Sequence, residues 1–454
     1  MRLSGPEALT IAERLLTVER PLEHGRARRA RVVDPRDAES TIDDALVTAF
    51  LAPRSYTGET VVEIAAHGSP VVLEAIVRGA LEQGARLGFE VRLARPGEFT
   101  QRAFLSGRID LTQAEAVHDL IAAQTLEQAR VAAQQMGGAI AHRVTPAKGE
   151  LLHLIALLEA GMDFASGELD DVEIVPPAQI AGAIESVEQP LAELAASFRR
   201  GLLLRNGAAI ALIGPPNAGK SSLFNRLLER ERAIVTPLPG TTRDTVEESL
   251  ALGGIPLRLI DTAGLRGGSD SVEAIDAAEQ QGIARSHEAL ADADLVLLIH
   301  DATLAVTVGE LRLEASLVGR PHLVIYNKVD LLGSEGERDI DIDEVALGEG
   351  ATTIRTSALT GEGLETLRGE ILAQLGAAGS LAESGALNNF RQQEAVSATL
   401  AALSAAAAAN DSGLPHELIL MDLHHALQAL DSLTGATTPD DILARIFSTF
   451  CIGK

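Results

Sequence analysis

Gly214-Pro215-Pro216-Asn217-Ala218-Gly219-Lys220-Ser221 has the GxxxxGKS pattern of a phosphate-binding loop. An apolar run over 208–213 precedes this stretch, and a helical pattern over 222–228 follows it. In such a strand–loop–helix context, backbone N–H groups and the helix N-terminus attract the anionic phosphates of a nucleotide. We predict that Lys220 reaches the outer phosphates and that the Ser221 hydroxyl binds Mg²⁺.

Further motifs follow in the order of a GTP-binding domain. They are Gly240-Thr241-Thr242-Arg243-Asp244, Asp261-Thr262-Ala263-Gly264, Asn327-Lys328-Val329-Asp330 and Thr356-Ser357-Ala358-Leu359. Asp261 ends an apolar run, from which a carboxylate can hold Mg²⁺ through water, and Gly264 lets the backbone approach the γ-phosphate. Thr242 is the candidate for a second hydroxyl on Mg²⁺. The Asp330 carboxylate can accept hydrogen bonds from two N–H donors of guanine that adenine lacks, so these motifs predict a GTPase.

The predicted nucleotide site draws on all of these motifs. It comprises Asn217, Ala218, Gly219, Lys220, Ser221, Ser222, Thr241, Thr242, Asp261, Thr262, Ala263, Gly264, Asn327, Lys328, Asp330, Ser357, Ala358 and Leu359. The five motifs each stand at the end of a hydrophobic run, which is where a parallel sheet places its ligand-binding residues.

The residue that positions the attacking water is not the usual one. Leu265 stands where Ras-like proteins place the glutamine that orients this water, and leucine cannot do so. Glu273 and Glu279 are two acids downstream that can replace it. Each of them also fits a solvent-exposed helix face, so spacing from the loop alone leaves the choice open.

Length and composition limit the class of protein. A chain of 454 residues is long enough for several domains, and a formal net charge of −26 argues against a generally basic nucleic-acid surface. The single cysteine, Cys451, excludes an intrachain disulfide and favours the reducing cytoplasm. We expect no membrane span, because no uncharged apolar run reaches about 18 residues.

The order of patterns along the chain predicts the domains. Residues 1–97 read as a small α/β domain, and 98–200 are rich in Ala, Leu and Gln at helical spacing. Alternating strand and helix patterns over 201–377 form the nucleotide domain, and 378–454 are helical again. The predicted fold is therefore multidomain α/β plus all-α, with a P-loop GTPase domain inserted in a helical domain.

With these motifs placed, the chain resembles the MnmE (TrmE) family of tRNA wobble-uridine modification GTPases. The resemblance rests on Tyr56-Thr57-Gly58-Glu59, on Arg95-Pro96-Gly97-Glu98-Phe99-Thr100 and on the terminal Cys451-Ile452-Gly453-Lys454. It implies a homodimer whose N-terminal domain binds a reduced folate of the 5,10-methylene- or 5-formyl-tetrahydrofolate type. It also implies a heterotetramer with the FAD-dependent MnmG, which installs a carboxymethylaminomethyl-type group on the wobble uridine of certain tRNAs.

The resemblance further assigns residues by position. Folate would contact Arg2, Glu63, Arg108 and Lys454. Potassium would be held beside the phosphates by Asn217, Thr236, Leu238 and Thr241, which adds Thr236 to the nucleotide site, and Mg²⁺ by Ser221 and Thr242. Glu273 keeps the family's spacing from Gly264 and is preferred as the water-positioning acid, with Glu279 as the alternative. Cys451 would assist one-carbon transfer.

One departure and one rival accompany the resemblance. Family members have a Gly-rich strand before the position of Arg2, whereas this sequence starts at Met1, which predicts a sheet edge without that strand and weak folate binding. The rival function is a regulatory or ribosome-associated GTPase switch of the Era or EngA kind, without modification activity. Such switches lack both the folate-type domain and the Cys-Ile-Gly-Lys ending.

Overall fold

A computed structural model describes residues 1–34, 37–165, 175–228, 247–261, 293–332, 352–377, 385–436, 446, 447 and 450. The chain divides into two compact units. One comprises Met1–His118, Gln135–Ala141 and His424–Lys454, and the other comprises Asp119–Gln134 and His142–Leu423. No helix within the described ranges has the length and apolar character that crossing a bilayer requires.

The first unit contains an antiparallel five-stranded sheet. In chain order its strands are β1 (Arg2–Ser4), β2 (Leu16–Val18), β3 (Ala27–Asp34), β4 (Asp37–Phe50) and β5 (Val61–Ala65), arranged β1-β5-β4-β3-β2. Side chains alternate across it: in β3, Ala30 and Val32 are buried, while Arg29 and Arg31 are exposed. Helices α1 (Ala8–Leu15) and α2 (Pro70–Leu87) contribute Ile11, Leu15 and Ile76 to the same core.

The first strand, β1, lies at one edge of this sheet. Strand β1 pairs with β5 over its whole length, with Arg2 opposite Glu63, and the N-terminal ammonium group donates to the Ile64 carbonyl at 2.8 Å. β1 is the edge strand, so the backbone is paired on one side from its first residues. What this means for folate affinity stays a prediction.

The helical part of the chain comes in two stretches of sequence, as predicted. The first contains α3 (Glu98–Leu105), α4 (Leu111–Ala122), α5 (Leu126–Met136), α6 (Ala139–Ala165), α7 (Pro177–Ala196) and α8 (Phe198–Asn206). The second contains α12 (Phe390–Asp411) and α13 (His416–Thr434). The strands between the two stretches confirm the predicted fold class, a nucleotide domain inserted in a helical domain.

The inserted domain is a doubly covered, mostly parallel sheet. Its strands are β6 (Ala208–Ile213), β7 (Glu247–Leu252), β8 (Ile255–Asp261), β9 (Leu295–Asp301), β10 (His322–Asn327) and β11 (Thr352–Arg355), in the order β11-β10-β9-β6-β8-β7. Among the described strands of this second sheet, only β7 runs antiparallel to its neighbour. Its helices are α9 (Lys220–Leu228), α10 (Val308–Ala315) and α11 (Leu364–Gln374).

Burial explains why these strands read as continuous apolar runs. In β9, Leu295, Leu297 and Ile299 pack in the core cluster on one face, and Val296 and Leu298 pack in the cluster on the other. Both faces of the parallel strands are covered, so no polar alternation is needed. The carboxyl ends of β6, β8, β9 and β10 share one edge of the sheet, which is where the predicted nucleotide motifs begin.

Candidate functional site

The phosphate loop is shaped by close approaches that only glycine allows. Gly214 has φ +145° and Gly219 has φ +91°, backbone conformations that L side chains rarely adopt. A Cβ on Gly214 would collide with the carbonyl of Ile299, and one on Gly219 would collide with the side-chain amide of Asn327. The loop is therefore pressed against the ends of β9 and β10, with its backbone in the form that cradles phosphate.

Lys220 and Ser221 begin α9, directly after this loop. The Lys220 ammonium group donates to the carbonyls of Gly214 at 2.8 Å and Pro215 at 2.7 Å, so it lies against the loop, and its contact with the outer phosphates stays a prediction. Ser221 and Ser222 are exposed in the first turn of the helix. A hydroxyl at that position suits Mg²⁺, which prefers oxygen ligands and is usually shared with phosphates.

Asn327 joins three loops into one site. This residue is only 1% exposed, and its amide nitrogen donates to the Ala218 carbonyl at 3.0 Å. Its amide oxygen accepts from the Ala358 N–H at 3.0 Å and from the Thr356 hydroxyl at 3.4 Å. The structure therefore brings together the phosphate loop, the Asn327-Lys328-Val329-Asp330 motif and the Thr356-Ser357-Ala358-Leu359 motif through one buried amide.

The predicted guanine-reading carboxylate is also held in place. The Ser357 hydroxyl, fully buried, donates to Oδ1 of Asp330 and accepts from the Thr360 N–H at 3.0 Å. A hydroxyl so placed fixes the plane of the Asp330 carboxylate. Leu359 is exposed at the tip of the same loop. That this carboxylate accepts from the two N–H donors of guanine stays a prediction.

One polar partner in this site was not predicted. Asp301, the last residue of β9, accepts from the Lys328 ammonium group at 2.6 Å. The signal for it was available, since Asp301 ends the apolar run Leu295–Ile299 much as Asp261 ends its own run. No motif spacing in the sequence points to Asp301, so it was not predicted.

Several predicted residues lie outside the described ranges. They are Thr236, Leu238, Thr241, Thr242, Thr262, Ala263, Gly264, Glu273, Glu279, Cys451 and Lys454. Asp261 is described as the last residue of β8, paired with Leu212, and its side chain is not. The potassium ligands, the water-positioning acid and the terminal cysteine therefore remain predictions.

In the first unit, Arg2 and Glu63 meet across β1 and β5. Their side chains form an ion pair with Nε and Oε1 2.8 Å apart, and both are roughly 40% exposed. Arg108 lies near the loop of residues 55–59, with its Cγ 3.8 Å from where a Cβ on Gly58 would be. Tyr56, in the same loop, shares a 3.0 Å hydrogen bond between its hydroxyl and that of Thr100.

Electrostatics link these groups into one neighbourhood. Burial raises the pKa of Tyr56 above its ordinary value, while the Thr100 hydrogen bond and the charge of Arg2 act in the opposite direction. Ser4 of β1 bonds with the Thr57 hydroxyl at 2.8 Å. Arg2, Glu63 and Arg108, three of the four predicted folate residues, are thus anchored to β1, to β5 and beside the 55–59 loop.

Glu98, for which no role was predicted, is the centre of a cluster of ion pairs and hydrogen bonds in this region. Glu98 is 9% exposed and receives two hydrogen bonds from Arg92, at 2.7 and 2.8 Å, and further bonds from Arg102 and the Arg95 N–H. Arg92 above all holds the pKa of Glu98 down to about 2, aided by Arg95 and Arg102 and opposed by burial. Arg102 also bonds Glu59 at 2.8 Å, which ties α3 to the 55–59 loop.

Two protein families and full-length relatives match this chain. The family described as MnmE helical domain matches residues 111–451, and that described as GTP-binding protein TrmE N-terminus matches residues 1–108. The tRNA modification GTPase MnmE of Koribacter versatilis (strain Ellin345) is 50% identical over 459 residues, covering 100% of this chain and 95% of the relative. That of Chloroflexus aurantiacus (strain ATCC 29366 / DSM 635 / J-10-fl) is 41% identical over 462 residues, covering 100% and 96%.

Among solved structures, the G domain of the T. maritima FeoB iron transporter is 31% identical. The match covers 37% of this chain and 98% of that one, with a TM-score of 0.26, too low to support a structural conclusion. The two family matches and the full-length relatives show more: this chain is a GTP hydrolase that belongs to the MnmE family of tRNA modification GTPases.

Proposed function

We propose that this chain is a potassium-dependent GTPase that works with MnmG on tRNA. As a homodimer joined with MnmG into a heterotetramer, it would install a carboxymethylaminomethyl-type group on the wobble uridine, with a one-carbon unit from a reduced folate. Its tRNA substrate places this reaction in the cytoplasm. Its domains would be an N-terminal domain (1–97), a helical domain in two parts (98–200 and 378–454) and the GTPase domain (201–377).

The observation that carries this proposal is the presence of two different polar sites in one chain. Guanine-selecting loops surround Asn327, and a half-exposed Arg2–Glu63 pair lies on the N-terminal sheet. A GTPase that acts only as a switch needs the first but not an N-terminal domain of the TrmE kind, which residues 1–108 match and on which the second lies. The second site therefore favours the modification enzyme over an Era- or EngA-like switch.

On binding GTP, two of the described side chains would gain new partners. Lys220 would exchange its bonds to the loop carbonyls for bonds to the outer phosphates, and Asp330 would accept from guanine. Mg²⁺, held by Ser221 and Thr242, would neutralise charge on the phosphates. Glu273 would orient the attacking water, the task for which Leu265 is chemically unsuited.

Potassium would supply the positive charge that an arginine finger supplies elsewhere. Its proposed ligands are Asn217, Thr236, Leu238 and Thr241. Asn217 is compatible with this assignment because it is exposed in a turn of the phosphate loop. Its φ of +65° lies in the left-handed region, which few residues other than glycine adopt.

The test of potassium dependence compares GTP turnover in KCl and NaCl at equal ionic strength. We expect turnover to be at least about ten-fold faster in KCl, since charge stabilisation of the transition state is worth this much or more. Asn217→Gly, which tolerates the same φ, should lose most of the stimulation and leave the rate in NaCl unchanged. Equal rates in both salts would remove potassium from the mechanism.

The folate would bind through Arg2, Glu63, Arg108 and Lys454. A carboxylate such as Glu63 can accept from the N–H donors of a pterin, and arginines suit its carbonyl oxygen and the carboxylates of its glutamate tail. Cys451 would act near this ligand as a thiolate, favoured by a neighbouring cation such as Lys454. Cys451→Ser should therefore abolish modification and leave GTP hydrolysis near that of the wild type.

A further inference from the structure

Lys328 is held in an unusual conformation beside the phosphate loop. Its backbone has φ +70°, in the left-handed region that side chains rarely adopt, directly after the buried Asn327. The end of its aliphatic stem lies close to the loop, since Cε is 3.9 Å from where a Cβ on Gly219 would be. Its stem therefore runs beside the loop on which the phosphates lie.

Asp301 is the partner that fixes this stem. Its Oδ2 accepts from the Lys328 ammonium group at 2.6 Å. The side chain of Asp301 is 10% exposed and that of Lys328 is 30% exposed. The other oxygen, Oδ1, accepts from the Thr303 N–H at 3.0 Å and from its hydroxyl at 2.7 Å. Both carboxylate oxygens are thus engaged, and the carboxylate cannot rotate without breaking a bond.

The backbone around Asp301 is equally constrained. Asp301 lies opposite Asn327 in the parallel register of β9 and β10, and the Ala302 N–H donates to the Asn327 carbonyl at 2.8 Å. Burial opposes the ionisation of Asp301, but the hydrogen bonds from Lys328 and Thr303 outweigh it and lower its pKa. A charged, fixed acceptor therefore faces the ammonium group.

We propose that Asp301 is a positioning residue for the guanine nucleotide. By holding the Lys328 ammonium group at the end of β9, it keeps the lysine stem extended beside Gly219, where the stem forms one wall of the nucleotide site. Asp301 itself touches no part of the nucleotide. This proposal requires only GTP binding and is independent of potassium, folate and MnmG.

A purely structural ion pair is the alternative. A partly buried ion pair that only supports the fold would, when it is lost, lower the melting temperature and leave nucleotide affinity unchanged. A positioning role predicts the reverse. Removing Asp301 should weaken nucleotide binding more than it weakens the fold, and only when Lys328 is present.

The test is a double-mutant cycle between Asp301→Asn and Lys328→Ala, read out as the Kd and dissociation rate of a fluorescent GDP. Asn is isosteric with Asp and keeps an acceptor for Thr303, so this variant separates loss of charge from failure to fold. We expect Asp301→Asn alone to raise the Kd about ten-fold, mainly through faster dissociation. In the Lys328→Ala background it should have almost no further effect.

Controls make the outcome specific. Asp294 precedes the same strand at its other end, where its side chain accepts from the Ala209 N–H at 2.8 Å, so Asp294→Asn should leave the Kd unchanged. Asp301→Glu, which restores the charge, should recover part of the affinity. At saturating GTP, kcat of Asp301→Asn should stay within about three-fold of wild type. An unchanged Kd, or the same loss in both Lys328 backgrounds, would overturn the proposal.

Discussion

The nucleotide site and the Arg2–Glu63 site are built on opposite principles. Asn327 is 1% exposed and bonds mostly to backbone groups, whereas Arg2 and Glu63 are 42% and 40% exposed and bond to each other. A buried neutral amide fixes the distances between loops, because each lost bond leaves a desolvated group. An exposed ion pair between flexible side chains costs little to open, so a charged ligand can replace either partner.

Disrupting the nucleotide site at its buried amide should have the largest effect, on GTP affinity. Asn327→Ala leaves the buried Ala218 carbonyl and the partly buried Ala358 N–H without this partner, at a cost of about 1–3 kcal/mol for each group. We expect GTP affinity to fall by about 1,000-fold, measured by titration with a fluorescent nucleotide. Asn225→Ala, on the exposed face of α9, is the control and should change affinity little. Near-normal binding by Asn327→Ala would show that the three loops do not depend on this amide.

The water-positioning acid should give the next largest effect, on rate alone. Glu273→Ala should lower kcat about 100-fold or more with little change in nucleotide affinity, as expected when an interaction made only in the transition state is lost. Single-turnover hydrolysis and nucleotide titration of the same protein separate these two quantities. If Glu279→Ala has this effect and Glu273→Ala does not, the acid is Glu279.

Glu98 carries a buried charge, and replacing this residue should have an effect of intermediate size, on the stability of the fold. Glu98→Gln should lower the free energy of unfolding by about 1.5–3 kcal/mol at neutral pH, the usual value of charged hydrogen bonds. Glu74 forms the same i,i+4 pair with Arg78 in an exposed position, so Glu74→Gln is the matched control and should cost less than about 0.5 kcal/mol. Equal losses in the two variants would contradict the distinction.

The pH dependence of Glu98 follows from its lowered pKa of about 2. Its contribution to stability is complete above the ordinary carboxyl pKa of about 4.5 and is lost as the pH falls toward 2. The difference in unfolding free energy between wild type and Glu98→Gln should therefore be constant above pH 5 and shrink below about 4.5. Urea unfolding at a series of pH values measures this difference.

The exposed pair should give the smallest effect on stability. Glu63→Gln should change the free energy of unfolding by less than about 1 kcal/mol and weaken binding of a reduced folate about ten-fold, measured by calorimetry. Asp44→Asn breaks another exposed ion pair of the same sheet, with Arg29, and should leave folate binding unchanged. Unaltered folate binding by Glu63→Gln would remove this residue from the site.

Much of the nucleotide site was predictable because parallel strands end at one edge of a sheet. The apolar runs before Gly214 and Asn327 became β6 and β10, and the loops that follow them meet as expected. The bridging bonds of Asn327 were not predictable, since they depend on which backbone groups of distant loops face the amide. Asp301 was not predicted because no motif spacing points to it, although it ends a strand.

The N-terminal site was less predictable from the residues themselves. Arg2, Glu63 and Arg108 came from resemblance to a family, and no spacing in the sequence joins them. For Glu98, the i,i+4 spacing to Arg102 was a visible signal, but Arg92 and Glu59 reach this cluster only through the tertiary fold. Residues that meet through antiparallel strands and loop contacts are therefore harder to predict from the sequence than residues at the ends of parallel strands.

The most direct test of the central claim, that both sites serve one modification, is mass spectrometry of wobble nucleosides in tRNA from a strain that lacks this chain. We expect the aminomethyl-type uridines to disappear, to return with the wild-type chain, and to stay absent with either Glu273→Ala or Cys451→Ser, although purified Cys451→Ser hydrolyses GTP normally. Full modification in the strain that lacks the chain would contradict the account.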